Sequence, residues 1–142
     1  MKKNNTKILV VDDDTGIGEM LKMLLEMNGY EVLVSEKPEE TEENIIANGI
    51  DLVLLDMLIS GVNGTDVCAR LRRDEITKHV TILMMSAHHD AGKKCKAAGA
   101  NDFIAKPFDM DELLGKIKIQ DYLINCVNRK NNRGRDPCYF FV

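Results

Sequence analysis

The regular alternation of short apolar runs with longer amphipathic segments constrains the fold of this chain more than any other feature. Five runs are rich in Val, Ile and Leu. They lie at residues 8–11, 31–34, 52–55, 80–85 and 102–105. The first, third and fourth are almost continuously apolar, which is typical of strands covered on both faces of a parallel sheet.

The segments between the runs carry apolar residues at helical spacing. The first segment has a stripe of five: Ile17, Met20, Leu21, Leu24 and Leu25. Gly29 is a typical helix end, Pro38 marks the start of a second helix, and Asp109 is the expected N-cap of the last. Further helices are predicted at residues 66–73 and 91–98. Five strand–helix units in succession predict a doubly wound α/β sheet.

Composition excludes several classes of protein. The 142 residues carry 19 basic and 23 acidic side chains and few aromatics, which disfavours direct nucleic-acid binding. No apolar run approaches the roughly 20 residues that a membrane-spanning helix needs, and no signal peptide is recognisable. We therefore expect a cytoplasmic protein without a membrane contact. Cys68 and Cys95 lie in helical segments as expected buried thiols, and a disulfide framework is not expected.

The chain is expected to form one domain over residues 1–128, whose last helix starts at about residue 109, followed by a basic, aromatic tail over residues 129–142. The tail is interpreted as a loose chain end, with a docking peptide as the alternative. The last helix carries a second apolar set on a rotated face: Ile119, Tyr122, Leu123, Cys126 and Val127. That set either contacts a partner, such as the second subunit of a homodimer, or packs back onto its own domain.

Polar side chains follow four of the runs at the point where each ends. They are Asp12 and Asp13 after the first run, Asp56 after the third, Ser86 after the fourth and Lys106 after the fifth. The carboxyl ends of parallel strands line the ligand site of an open sheet, so we expect these side chains to converge.

Converging carboxylates repel one another and have raised pKa values unless they share a cation. Oxygen ligands of this kind suit Mg²⁺, with Mn²⁺ as an alternative ion. A lysine and a hydroxyl supply donors for a phosphoryl group, and an aspartate can itself be the nucleophile. Alone, Asp14 and Ser86 also fit helix N-caps and Asp56 fits the start of a turn. Together on one rim, these residues predict reversible phosphorylation of a carboxylate.

In these motifs the sequence resembles the receiver domain of bacterial two-component response regulators, from Lys7 to about Asn128. The matching motifs lie at residues 8–13, 52–56, 61–64, 82–87, 97–100 and 106–108. The resemblance implies a flavodoxin-like strand order 2-1-3-4-5 with helices on both faces of the sheet. It also implies a phosphorylation-dependent signalling switch, which is not an enzyme acting on an external substrate.

The resemblance assigns roles to the acidic residues. Asp56 matches the aspartate that takes a phosphoryl group from the phosphohistidine of a sensor histidine kinase or a phosphotransfer protein. Asp13 would bind Mg²⁺ directly together with Asp56 and the backbone carbonyl of Leu58, while Asp12 would act mainly through a metal-bound water.

The resemblance also assigns the remaining rim residues. Lys106 would pair with a phosphoryl oxygen, and the bond between it and Pro107 is usually cis in the family. Ser86 would move to hydrogen-bond the phosphate, and Phe103 matches a switch aromatic that turns inward afterwards. The output would be altered binding to a downstream protein target.

Several positions depart from the family pattern. Ser60 stands where many relatives have proline, so a looser loop is expected, and Asn63 replaces a frequent acid. Phe103 lacks the hydroxyl of the tyrosine common at its position. Leu58 and His88 occupy positions that influence autodephosphorylation in the family.

Two other functions stay open on the residues alone. One is a receiver-like module that binds partners without being phosphorylated, against which the intact acidic set argues. The other is a phosphatase of the haloacid dehalogenase type, which would use Asp12 and Asp14 but requires Thr or Val where this chain has Gly16.

Overall fold

The structure, a computed structural model, describes residues 6–133, and side chains up to residue 127. The remainder of the basic, aromatic tail lies outside the described residues. The chain divides into two compact units, the first ending at Phe108 and the second starting at Asp109. No helix in the described part of the chain is long and apolar enough to cross a membrane.

The first unit contains all the described strands and four α-helices. Its strands are β1 (Lys7–Val11), β2 (Glu31–Ser35), β3 (Leu52–Asp56), β4 (Leu58–Ile59), β5 (Val62–Asn63), β6 (Thr81–Ser86) and β7 (Asp102–Ala105). Its helices are α1 (Thr15–Met27), α2 (Thr41–Asn48), preceded by a 3-10 turn at Pro38–Glu40, α3 (Gly64–Arg73) and α4 (Gly92–Ala98). The element types therefore follow the predicted alternation, except for the short strands β4 and β5.

Five of these strands form one parallel sheet in the order β2-β1-β3-β6-β7. Counted along the chain without β4 and β5, this is the expected order 2-1-3-4-5. Strands β4 and β5 form a separate antiparallel pair. Every residue of the central strands β1, β3 and β6 is buried except Lys7, which is half-buried. This burial on both faces explains their continuous apolar runs.

Helices cover both faces of the sheet. On one face, Leu9 and Val11 belong to a buried cluster that includes residues of α2, α3 and α4. On the other face, α1 lies so close to β2 that a Cβ on Gly18 would be 2.9 Å from Val34. Val34 is in register with Val10, which points to the opposite side of β1 from Leu9 and Val11. The predicted doubly wound architecture is thereby confirmed.

The second unit contains α5, which runs from Met110 to Arg133 and so extends beyond residue 128. Asp111 and Glu112 lie in its first turn, where negative charge is favourable. Leu113 and Ile117 of the predicted core stripe are buried. Four of the five residues of the second apolar set are exposed: Ile119, Tyr122, Leu123 and Val127. The homodimer through this face stays a prediction.

The described cysteines differ in state. Cys68 and Cys95 are free and fully buried, as predicted. Burial raises the pKa of both thiols. Cys126, in contrast, is disulfide-bonded, which the expectation of a reduced chain did not anticipate.

Candidate metal centre at the carboxyl edge of the sheet

The three predicted acidic residues converge where β1 and β3 end. Val11 of β1 is in register with Leu55 of β3, so the residues that follow, Asp12 and Asp56, lie side by side. One carboxylate oxygen from each of Asp12, Asp13 and Asp56 lies within 4.8 Å of the others. The predicted convergence of these side chains is what the structure shows.

Asp12 is fully buried, and two donors fix its carboxylate. The backbone N–H of Asp14 donates to Oδ1 at 3.0 Å, and Nζ of Lys106 donates to Oδ2 at 3.0 Å. The carboxylate of Asp14 itself caps α1 by accepting from the N–H of Ile17 at 3.2 Å. Because Asp14 serves as a helix cap, the phosphatase interpretation loses its second aspartate.

Lys106 follows β7 and places its ammonium between two acids. Its Nζ lies 3.0 Å from Oδ2 of Asp12 and 3.3 Å from Oδ2 of Asp56. Its backbone N–H donates to the carbonyl of Ser86, and its peptide bond to Pro107 is cis, as the resemblance implied. Burial by itself lowers the pKa of Lys106, but hydrogen bonding to Asp12 and the negative charge of Asp56 outweigh it, so the pKa is raised.

The pKa of the Asp56 carboxyl is raised above its ordinary value. Burial raises its pKa most strongly and the neighbouring charge of Asp12 adds to the increase, whereas Lys106 acts in the opposite direction. The cluster thus contains three carboxylates, of which Asp12 and Asp56 pair with the Lys106 ammonium, so negative charge is in excess. A divalent cation bound by oxygen ligands would relieve that excess, so the donor set fits Mg²⁺.

The loop after β3 returns to the site through the β4–β5 pair. The N–H of Gly64 donates to the carbonyl of Met57 at 2.7 Å, and a Cβ on Gly64 would overlap the carbonyl oxygen of Asp56. Ser60, at the tip, donates to Oδ2 of Asp13 from its N–H at 2.8 Å and from its hydroxyl at 3.3 Å. Both of these donors tie the loop to Asp13, and the expectation of a looser loop stays a prediction.

A cavity of about 470 Å³ opens beside Asp56. Its lining comprises Asp56, Met57, Leu58, Gly61, Asn63, Ser86, Ala87, His88 and Lys106. Ser86 is buried, and its Oγ accepts from the N–H of His88 at 3.1 Å. The cavity thus brings Ser86 and Lys106, the predicted phosphate-binding residues, next to Asp56. Leu58, Asn63 and His88, which were singled out from the family pattern, line the same cavity.

Phe103 is the predicted site residue that the structure places away from the acids. It is half-buried and packs against the cluster on the α2–α4 side of the sheet. Its role as a switch aromatic stays a prediction. His88 and His89 are both exposed, and neither belongs to the acidic cluster found among the described residues.

Comparison with known proteins decides the family. The model of the response regulator receiver domain matches residues 8–118. The chain belongs to this family. The receiver domain is 39% identical over 113 residues to the phosphate regulon transcriptional regulatory protein PhoB of Pseudomonas aeruginosa, covering 78% of this chain and 49% of PhoB. This chain spans about half the length of the curated relatives that it matches.

Solved structures agree with this assignment. A response regulator from Chloroflexus aurantiacus is 36% identical with a TM-score of 0.78, and the match covers 83% of this chain and 98% of that chain. TrrA of Thermotoga maritima, solved in complex with Mg²⁺ and BeF, is 32% identical with a TM-score of 0.73, and the match covers 81% and 98%. This protein is thus a receiver domain of the two-component response regulator family.

Proposed function

We propose that this receiver domain is a phosphorylation-dependent switch in which Asp56 accepts a phosphoryl group from the phosphohistidine of a sensor histidine kinase or a phosphotransfer protein. The observation that carries the proposal is the position of Asp56. Its carboxylate ends a central strand, borders an open cavity, and lies 3.3 Å from the ammonium of Lys106. A nucleophile, a counter-charge and room for a phosphoryl group therefore occur together.

In the proposed reaction a carboxylate oxygen of Asp56 attacks phosphorus. The bond from phosphorus to the imidazole nitrogen of the donor breaks, and its electron pair returns to the imidazole. The raised pKa of Lys106 keeps its amine protonated, so it can pair with a phosphoryl oxygen as charge moves onto the acceptor side.

Asp12, Asp13 and Asp56 would hold Mg²⁺, with Mn²⁺ as the alternative ion and the backbone carbonyl of Leu58 as a further ligand. In this scheme Asp13 and Asp56 would be direct ligands of the cation, and Asp12 would support it less directly. When bound, the cation neutralises charge on the phosphoryl oxygens. The cluster of three carboxylate oxygens and the magnesium complex named for TrrA support this choice.

Ser86 and Phe103 would transmit the change. The hydroxyl of Ser86 lines the same cavity as Asp56, so a short movement would let it donate to a phosphoryl oxygen. Phe103 lies on β7 two residues before Ala105, which is in register with Ser86, and it would then turn inward. The altered surface would change binding to a downstream protein target.

The protein would modify its own side chain and no external substrate, so it would act as a regulator. Self-catalysed phosphotransfer and autodephosphorylation would be its only chemistry. Leu58, Asn63 and His88 line the cavity and would control how water reaches the acyl phosphate.

The test is incubation with acetyl phosphate and Mg²⁺ followed by intact mass measurement. The wild type is expected to gain the mass of one phosphoryl group, and the gain is expected to disappear with EDTA. Asp56→Asn removes the nucleophile and should gain nothing. Asp66→Asn, which alters an exposed acid in the first turn of α3, is the matched control and should be modified like the wild type.

The proposal fails if Asp56→Asn is modified as fully as the wild type, or if the wild type gains no mass from acetyl phosphate, from another small phosphodonor, or from a phosphorylated histidine kinase. Modification that is independent of divalent cations would leave Asp56 as the acceptor and remove the metal from the scheme.

A further inference from the structure

We propose that Ser60 is a positioning residue of the metal centre, whose N–H and hydroxyl hold the carboxylate of Asp13 ready for a divalent cation. The inference rests on the proposed function in one respect, the use of Asp13 as a metal ligand. It adds to the site a loop residue that contacts the acid directly.

The two hydrogen bonds converge on a single oxygen. The backbone N–H of Ser60 lies 2.8 Å from Oδ2 of Asp13, and Oγ of Ser60 lies 3.3 Å from the same atom. Both donors thus hold the Asp13 carboxylate from the side of the loop. The contact joins residues 47 positions apart, so it fixes the loop and the acid relative to each other.

Asp13 needs such support more than the other two acids do. Asp12 is fully buried and accepts from Asp14 and Lys106, and Asp56 is largely buried at the end of β3. Asp13 is exposed, and the hydrogen bonds that the described residues make to its carboxylate come from Ser60. An exposed carboxylate without these donors would lose rotamer freedom each time it bound a cation.

The backbone at the loop tip requires a particular turn type. Ile59 pairs with Val62, which leaves Ser60 and Gly61 as a two-residue turn with φ angles of 52° and 80°. Positive φ at both central residues is the requirement of a type I′ hairpin turn. A proline cannot adopt this φ and has no N–H, so the donor pair depends on having serine here.

Groups that orient a metal ligand commonly change metal affinity by 10–100-fold when they are removed. Ser60→Ala and Ser60→Gly both delete the hydroxyl and keep the N–H. The hydroxyl bond is the longer of the two, so we expect each variant to bind Mn²⁺ about threefold to tenfold more weakly, at or below the lower end of that range. Glycine also relieves the positive φ, so equal losses in both variants assign the effect to the hydroxyl and not to loop strain.

The experiment measures Mn²⁺ affinity by electron paramagnetic resonance and Mg²⁺ affinity by calorimetry on the full chain. Thr65→Ala is the matched control, because the Thr65 hydroxyl, in the first turn of α3, donates to Asn63 of β5 and not to Asp13. A double-mutant cycle completes the test. In an Asp13→Asn background, the loss caused by Ser60→Ala is expected to disappear, since the two residues act through one contact.

Three outcomes would overturn the proposal. Unchanged or tighter cation binding by both Ser60 variants would refute the positioning role of the serine side chain and leave the metal centre intact. A loss that persists at full size in the Asp13→Asn background would assign the effect to the loop. A wild-type chain that binds neither cation at millimolar concentration would refute the metal centre of the proposed function, and the role of Ser60 with it.

Discussion

Replacing Asp56 with asparagine should stabilise the metal-free protein at neutral pH, because burial and a neighbouring carboxylate disfavour the negative charge of Asp56. Burial and the charge of Asp12 raise the pKa of Asp56, with Lys106 opposing them. An acid whose pKa is raised by folding binds more protons in the folded state, so stability falls as pH rises from the unfolded value near 3.8 through the raised folded value.

The magnitude follows from the distances. At an effective dielectric constant of 20, two carboxylate charges within 4.8 Å repel by about 3.5 kcal/mol, and the Lys106 ammonium at 3.3 Å attracts by about 5 kcal/mol. Asp13 adds a screened repulsion, so the charge terms nearly cancel and the burial cost decides. Lys106 keeps its bond to Asp12 when Asp56 is changed, so no buried charge is orphaned. We therefore expect Asp56→Asn to gain about 1–2 kcal/mol, or roughly 3–6 °C in Tm.

The assay is urea unfolding of both proteins in EDTA at pH 7.5 and below pH 3.8, and again with Mg²⁺ at pH 7.5. The gain should be present at pH 7.5 in EDTA and absent at the acidic pH, where Asp56 is protonated in both states. Mg²⁺ should stabilise the wild type more than the variant, because binding to the folded state raises its stability. A variant less stable than the wild type in EDTA at pH 7.5, or a gain of the same size at both pH values, would refute the reasoning.

Two further substitutions test the framework of the site. Gly64→Ala should lower the free energy of unfolding by at least about 2 kcal/mol and reduce phosphorylation by acetyl phosphate, because its Cβ would overlap the backbone of Asp56. Gly115→Ala in α5, where a Cβ meets no atom within 4 Å, is the control and should raise the free energy of unfolding by about 0.5–1 kcal/mol. Equal effects of the two substitutions on unfolding would contradict the overlap. Lys106→Met should cost about 3 kcal/mol near pH 7 by leaving the buried Asp12 without its cation, as measured by urea unfolding; an unchanged midpoint would show that Asp12 has another partner.

The elements of the sheet were predictable because each is marked locally. Apolar runs marked the strands, and the residues that end them were named in advance because parallel strands end on the same edge. Asp14 illustrates the limit of this reasoning. Its helix cap and a functional role were both open from the sequence, and the bond to Ile17 decides for the cap.

Two features of the loop after β3 were not predictable. The β4–β5 pair has two residues in each strand, too few for a recognisable alternation, and its turn at Ser60 and Gly61 carries only a glycine signal. The contact of Ser60 with Asp13 spans 47 residues and depends on the positive φ at the turn. Ser60, with its two donors, is the one signal that the sequence offers for this contact, and the sequence alone predicts a looser loop there.

The ion pair between Asp12 and Lys106 joins residues 94 positions apart, at opposite ends of the sheet-forming part of the chain. A nascent chain emerging from the ribosome displays its aspartates long before its lysine has been synthesised. Under the proposed function, phosphotransfer would therefore have to wait until Lys106 has joined the acids, and a polypeptide interrupted earlier would carry Asp56 without its counter-charge.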